Sequence, residues 1–372
     1  MEKFKVTPWE VSGKVDYVKL IKEFGTEPLT DSLVARLEKL AKSQHFMLSR
    51  KIFFSHRDLP WLLNEYEKGN KFYLYTGRGP SGHTHIGHML PWILTRWLQQ
   101  RFNVKVYFQL TDDEKFVHKQ DLSLEETNRL AYDNALDFIA LGFSPKDTTI
   151  IVNTDNAKTL YREALKVAKR VTFSTAKATF GFTDSTNIGL IFYTSMQAVP
   201  AFLESIRQGK NVPCLIPHGI DQDPHFRIAR DVLPKLGYYK PAALHNIFLP
   251  GLSGNFKMSS SMDSETVFVS DNPELVKQKI LKYAFSGGQA TVKEHRKLGG
   301  NPDVDISYQW LYCFFEDDDA KIKRVYDSYA SGSLLTSELK ELLAEKIINF
   351  LRHHNNARER ARKNIHKYLL KE

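Results

Sequence analysis

From residue 72 onward, short apolar runs alternate with longer amphipathic stretches. FYLYT (Phe72–Thr76) predicts a strand and HMLPWILTRWLQQRF (His88–Phe102) a helix. VKVYFQLT (Val104–Thr111) predicts a second strand and LEETNRLAYDNALDFIALG (Leu124–Gly142) a helix ending on a C-cap glycine. TIIVNT (Thr149–Thr154) predicts a third strand. Strands separated by amphipathic helices imply an α/β architecture, a parallel sheet with right-handed crossovers. Upstream, residues 1–70 mix helical periodicity, as in Asp31–Ser43 with Asp31 as N-cap, with a strand-like Ile52–Ser55. Beyond about residue 270 the pattern is helical only, including Asp271–Phe285 and Leu335–His354. The expected division is an extension over 1–70, a sheet domain over 71–267 and a helical domain over 268–372.

The composition, 42% hydrophobic and 26% charged over 372 residues, is that of a folded globular chain of about two domains. The net charge of +9 is unevenly placed. From Lys340 to Glu372 there are nine Lys/Arg and four Asp/Glu, so five of the nine surplus charges fall in that tail. A solvated helix face and a polyanion contact are both open readings of it. Cys214 and Cys313 stand far apart and form neither a disulfide framework nor a C-x-x-C site, which fits a reducing compartment. The N-terminus shows no targeting signal, and no apolar run approaches the roughly 18 residues that a bilayer span needs. A cytoplasmic protein with no membrane contact is expected.

Between the first strand and its helix lies GRGPSGHTHIGHM (Gly77–Met89), with four glycines and three histidines. In parallel sheets ligands bind beyond the C-terminal strand ends, and a helix N-terminus there suits phosphate. Glycines at such a turn let the backbone bend sharply or be approached closely. His83, His85 and His88 could instead suggest zinc, but no Cys or carboxylate lies near them in sequence to complete four ligands, so no metal is expected.

His85-Ile86-Gly87-His88, together with the later Lys257-Met258-Ser259-Ser260-Ser261, resembles the signature pair of class I aminoacyl-tRNA synthetases. More closely, the chain resembles tryptophanyl-tRNA synthetases of the archaeal/eukaryotic type. The shared segments include Phe53–Asp58, Tyr73–Gly82, Gln109–Lys115, Phe180–Ser185, Gly219–Asp231, Phe285–Gly288 and His295–Asp305. The resemblance implies a Rossmann-like catalytic domain carrying a dimerising insertion (about 112–240) and a C-terminal all-helical domain that reads the anticodon. It implies activation of L-tryptophan with ATP, Mg²⁺ carried with the nucleotide, transfer to tRNA(Trp), and a homodimer.

Roles follow from the resemblance residue by residue. Gly87 would let adenine lie on the backbone, and His85 and His88 would donate to phosphate oxygens. Lys257 would counter the charge that grows as the amino acid's carboxylate attacks the α-phosphorus. Met258, Ser259 and Ser260 belong to the same ATP loop, with Gly79 in the turn. The family's loop carries a second lysine where Ser260 stands here, so part of the phosphate grip is expected from Arg78 and Lys115.

An indole offers one N–H donor on an otherwise apolar plane, so its pocket needs one acceptor among hydrophobic walls. The resemblance assigns Tyr75 and Gln109 to the indole nitrogen. Glu114 supplies the carboxylate that an α-ammonium requires, and Gln197 and Gln222 are polar contacts to the amino and carboxyl groups. A tyrosyl-tRNA synthetase is the enzyme alternative, but such enzymes carry Asp where Pro200 stands here. A catalytically silent paralogue is opposed by the intact His85, His88, Lys257, Glu114 and Gln109. The run Asp112–Lys115 could alternatively hold a metal. Glu316–Asp319 is read as a solvated helix boundary, and Gly287–Gly288 and Gly299–Gly300 first as helix C-caps, with RNA contact as the open alternative.

Overall fold

The computed structural model describes residues 5–8, 11–12, 15–254, 258 and 263–372. Its main sheet has seven strands: β1 (Glu27–Pro28), β2 (Phe53–Arg57), β3 (Tyr73–Arg78), β4 (Val106–Leu110), β5 (Thr148–Val152), β6 (Cys214–Gly219) and β7 (Ala242–Asn246). Their order across the sheet is β1-β2-β7-β6-β3-β4-β5. β3 to β7 are mutually parallel, whereas β1 and β2 form an antiparallel edge. The parallel expectation therefore holds for five strands, and the strand-like segment near residue 52 enlarges the sheet on its other side.

The chain runs outward from β3 through β4 to β5, then returns to place β6 and β7 on the opposite flank. This reversal opens a crevice at the C-terminal ends of β3 and β6, the place where such sheets take ligands. β6 and β7 were not expected from the pattern. Pro213 and Pro217 punctuate the first of them, and proline within an apolar run argues against a strand because it cannot donate to the ladder.

Strand periodicity sorts the core. Leu74, Val106 and Phe108 face one layer, where Phe108 stacks on Phe138 at 3.7 Å between ring centres and Phe138 on Phe143 at 3.9 Å. Tyr73, Tyr75 and Tyr107 face the other, beside Phe202 and Phe226.

Six helices matter for the site: α1 (Ile86–Phe102), α2 (Asp112–His118), α3 (Leu124–Ala140), α4 (Asp223–Val232), α5 (Pro273–Tyr283) and α6 (Thr336–Asn364). α1 starts two residues before the expected His88, because His85 takes the cap position in extended backbone. α3 is closed by Leu141, so Gly142 lies one residue beyond the cap, at φ 93°. The helix Asp31–Ala41 is capped by Thr30, whose hydroxyl accepts from the Leu33 N–H at 3.3 Å, rather than by Asp31. A hydroxyl one residue earlier reaches the free N–H groups that Asp31, already helical, cannot.

α6 runs ten residues past the expected His354, and its end returns to the sheet. The Ile150 N–H donates to the Tyr368 carbonyl at 2.7 Å, and the Leu370 N–H to the Ile150 carbonyl at 2.8 Å, so the chain end covers the edge of β5. The basic tail is thereby divided. Arg358 turns inward to Asp133 and Asp137, while Arg360, Arg362, Lys363 and Lys367 stay exposed. Among the described residues, no helix is long and apolar enough to cross a membrane.

Candidate active site

A cavity of about 450 Å³ opens at the switch in strand order. Thr76, Gly77 and Arg78 enter it from the end of β3, and His218, Asp221 and Gln222 from the end of β6 and the turn beyond. His85, Gly87 and His88 come from the start of α1, and Glu114 and Lys115 from α2. Its apolar wall includes Trp92, Tyr193, Ile216 and Phe226.

The glycine turn is built to be tight. A Cβ at Gly79 would fall 2.1 Å from Lys115 Cε and 2.6 Å from Glu114 Oε2, so any other residue would push those groups out of place. Arg78 is buried and braces the turn, donating to Thr84 Oγ1 at 2.6 Å and to the carbonyls of Gly82 and His83 at 3.1 and 2.9 Å. Its amino groups are thus engaged with the turn itself. The His85 N–H donates to His88 Nδ1 at 3.2 Å, and the two rings stack at 3.5 Å. An Nδ1 that accepts is unprotonated, which places the proton of a neutral His88 on Nε2, as a donor.

The two signatures meet here. Met258 Cβ lies 3.7 Å from where a Cβ on Gly87 would stand, and the Met258 N–H donates to the Leu249 carbonyl at 3.0 Å. The segment following the loop pairs with the turn, the Val269 N–H donating to the Thr84 carbonyl at 2.9 Å and the Ile86 N–H to the Val267 carbonyl at 3.3 Å. Lys257, Ser259, Ser260 and Ser261 lie outside the described residues.

On the polar wall, Glu114 is buried and its Oε1 accepts from Lys115 Nζ at 2.8 Å, so the lysine expected at phosphate pairs with this carboxylate. Gln197 lines the cavity and donates through Nε2 to the Tyr75 hydroxyl at 2.9 Å, while Tyr193 donates to its Oε1. Tyr75 in turn donates to Gln109 Oε1, and Gln109 Nε2 donates to Asn153 Oδ1 at 2.9 Å. Tyr75 and Gln109 are therefore joined to each other, fully buried, and reach the cavity through Gln197. Gln222 bonds Asp221 Oδ2 at 3.0 Å and the Pro8 carbonyl at 3.4 Å.

The metal reading of the acidic run meets a geometric obstacle. Asp112 accepts from Thr154 and Asn128, Asp113 from Asn153, and Glu114 from Lys115, so the three carboxylates serve different partners. Burial pushes the Asp113 carboxyl up to about 7. His83 stands near Asp133, at 3.9 Å, apart from the stacked pair His85 and His88. Another group, His218, Asp223 and His245, brings ligand-type atoms within 4.8 Å of one another. Its Asp223 already accepts from Arg57 Nε and NH2 at 2.7 and 2.8 Å, which would set a guanidinium beside any cation. Despite burial, that guanidinium and His245 hold the Asp223 carboxyl far below its usual range. Burial pulls His218 down to about 3 and His225 to about 4, leaving both neutral.

Sequence reasoning missed His218, Asp221, His225 and Phe226 as cavity residues. Asp221, His225 and Phe226 lie in the segment Gly219–Asp231, from which only Gln222 was singled out, because β6, the strand that delivers the segment, was not recognised.

Residues 67–352 match the family described as tRNA synthetases class I (W and Y). The tryptophan–tRNA ligase of Saccharolobus solfataricus is 50% identical over 366 residues, covering 98% of this chain and 95% of that one. The chain belongs to the tryptophanyl-tRNA synthetases. That of Pyrobaculum calidifontis is 50% identical over 99% of this chain and 98% of its own. Among solved structures, a tryptophanyl-tRNA synthetase from Encephalitozoon cuniculi bound to tryptophan superposes with a TM-score of 0.88 at 36% identity, covering 96% and 98% of the two chains. A parasite tRNA synthetase, product-bound, gives 0.89 at 44%, covering 93% and 94%. Membership carries the activity: the enzyme is a ligase that activates tryptophan with ATP and transfers it to tRNA(Trp). Pro200 opens a helix, and its carbonyl accepts from the Tyr73 hydroxyl at 2.9 Å.

Proposed function

We propose that ATP lies along the glycine turn and the start of α1, with tryptophan beside it against Glu114, Gln197 and the Tyr193–Phe226 wall. The meeting of Met258 with Gly87 above one cavity that also holds Glu114 supports this reading most directly. His85 and His88 donate to phosphate oxygens, and Lys257, Ser259 and Ser260, with Met258, serve the same phosphates. Mg²⁺ arrives with the nucleotide. Arg78 and Gly79 shape the turn beneath ATP, and Lys115 balances Glu114 until the substrate's ammonium and phosphates arrive. Glu114 takes that ammonium, Gln197 and Gln222 orient the amino and carboxyl groups, and Tyr75 with Gln109 supplies the acceptor for the indole N–H. The tryptophan carboxylate attacks the α-phosphorus and pyrophosphate leaves. The chain's contribution is alignment and compensation of growing negative charge, with no covalent enzyme intermediate.

Residues 268–372 read the anticodon in this scheme, residues 1–70 form an extension on the catalytic core, and catalysis takes place in the cytoplasm. A homodimer forms through the insertion of about 112–240, where Tyr161, Leu165, Phe173 and Ile188 are exposed apolar side chains.

Exchange of pyrophosphate into ATP tests the reading. It should require tryptophan and fail with tyrosine; exchange supported equally by tyrosine would overturn the pocket assignment. Gln109→Leu should weaken tryptophan about tenfold in an equilibrium titration, since it strips the Tyr75 hydroxyl and the indole N–H of a buried acceptor. An unchanged affinity would remove Gln109 from the site.

A further inference from the structure

The turn that carries the ATP signature is braced by two helices far from it in sequence. Thr84, wholly buried, receives Arg78 NH1 on its hydroxyl oxygen at 2.6 Å, and its side chain stands against Asp137 of α3 closely enough to favour that carboxylate's charge. Asp137, itself buried, accepts from Arg358 Nε at 2.8 Å and His354 Nε2 at 3.3 Å, both on α6. Arg358 also bonds Asp133, and Asn134 Nδ2 donates to the Gly82 carbonyl at 3.2 Å. Asp133 and Asp137 are four residues apart, as are His354 and Arg358, so an acidic stripe on α3 meets a basic stripe on α6.

The charges depend on one another. Arg78 is enclosed enough that burial lowers its guanidinium to about 10, with the negative charges of Asp137 and Asp133 acting against that fall. Burial opposes the charge on Asp137, yet the His354 and Thr84 side chains and the charge of Arg358 keep its carboxyl below the usual range. One carboxylate thus stands between two cations, one under the turn and one on the last long helix.

We propose that Asp137 is a positioning residue for ATP, fixing Thr84 and through it Arg78 and the glycine turn, and that Arg358 gives α6 a hold on the nucleotide site. The inference rests on the reading that ATP occupies this turn. Removing the carboxylate leaves Arg78 and Arg358 with Asp133 as their remaining shared acid, and the turn keeps only the Asn134 hydrogen bond to α3, while Glu114 and the indole wall are untouched.

Tryptophan-dependent pyrophosphate exchange, with ATP and tryptophan varied separately, tests this in full-length enzyme. Asp137→Asn and Thr84→Val should each raise KM for ATP about tenfold and leave KM for tryptophan within about twofold. Arg358→Ala should raise KM for ATP about threefold, and the Asp137→Asn/Arg358→Ala double variant should be no worse than Asp137→Asn alone. Equal rises in both KM values, additive effects in the double variant, or an unaltered KM for ATP would overturn the proposal. Should Asp137→Asn not fold, Thr84→Val, which removes a single hydroxyl, and the peripheral Arg358→Ala still decide. Wild-type enzyme lacking tryptophan-dependent exchange would instead defeat the ATP reading itself, so the two failures are distinct.

Discussion

Glu114→Gln should lower kcat/KM for tryptophan in the exchange reaction by about 100- to 1000-fold. Glutamine keeps the shape of the side chain and can still accept a hydrogen bond, so the expected loss is one of charge. Breaking a buried ion pair by removing one partner costs about 3–5 kcal/mol, because the other charge is left without compensation. Here the damage is doubled. The substrate's ammonium loses its counter-ion, and Lys115, whose Nζ sits 2.8 Å from Glu114 Oε1, becomes an unpaired cation in the same wall. An uncharged ligand separates this from general damage: 3-methylindole should bind wild type and variant equally well. An exchange rate within threefold of wild type, or equal weakening of both ligands, would show that Glu114 does not receive the ammonium.

The first half of this site was legible because its pattern was clean. β3, β4 and β5 are apolar runs followed by turn residues, and the parallel register of β3 and β4 sets Gly77 beside Gln109, which brings Tyr75 and Gln109 together as the strand ends implied. The second half was hidden. Prolines at 213 and 217 disguise β6, so His218, Asp221 and Phe226 had no strand end to be delivered from.

Side-chain commitments were hidden for another reason. Lys115 looked like a phosphate ligand, but a long flexible stem lets it fold back onto the neighbouring Glu114, a pairing that helical spacing does not announce. Arg358 sits in the densest basic stretch, and only the approach of α3 shows that this one cation points inward. Local periodicity specifies elements, while the partner of a charged side chain is set by which elements meet.

Acidification offers a second large effect, one that reaches the whole fold. His218 and His225 are buried and neutral, held down to about 3 and 4 by burial, and the half-buried His45 is lowered to about 4 in the same way. In the unfolded chain each histidine titrates near 6.5. Below that pH the unfolded state takes up protons that the folded state refuses, so stability present above about pH 6.5 is lost as pH falls toward the folded values. Between pH 7 and 5 this costs about 2 kcal/mol for each enclosed histidine, and less for His45. Asp113 acts in the opposite sense. Its folded carboxyl, near 7, binds a proton over this interval while the unfolded one does not, which returns about 2 kcal/mol. From these four groups a loss of about 3 kcal/mol remains, a large share of the 5–15 kcal/mol typical of folded proteins, and His56 and His245, also lowered by burial, act in the same direction. Urea unfolding at the two pH values should register it. Asp113→Asn should steepen the acid loss and His218→Gln should shallow it, whatever each does to stability at pH 7. Equal pH dependence in wild type and both variants would mean that these buried groups do not govern the fold's response to acid.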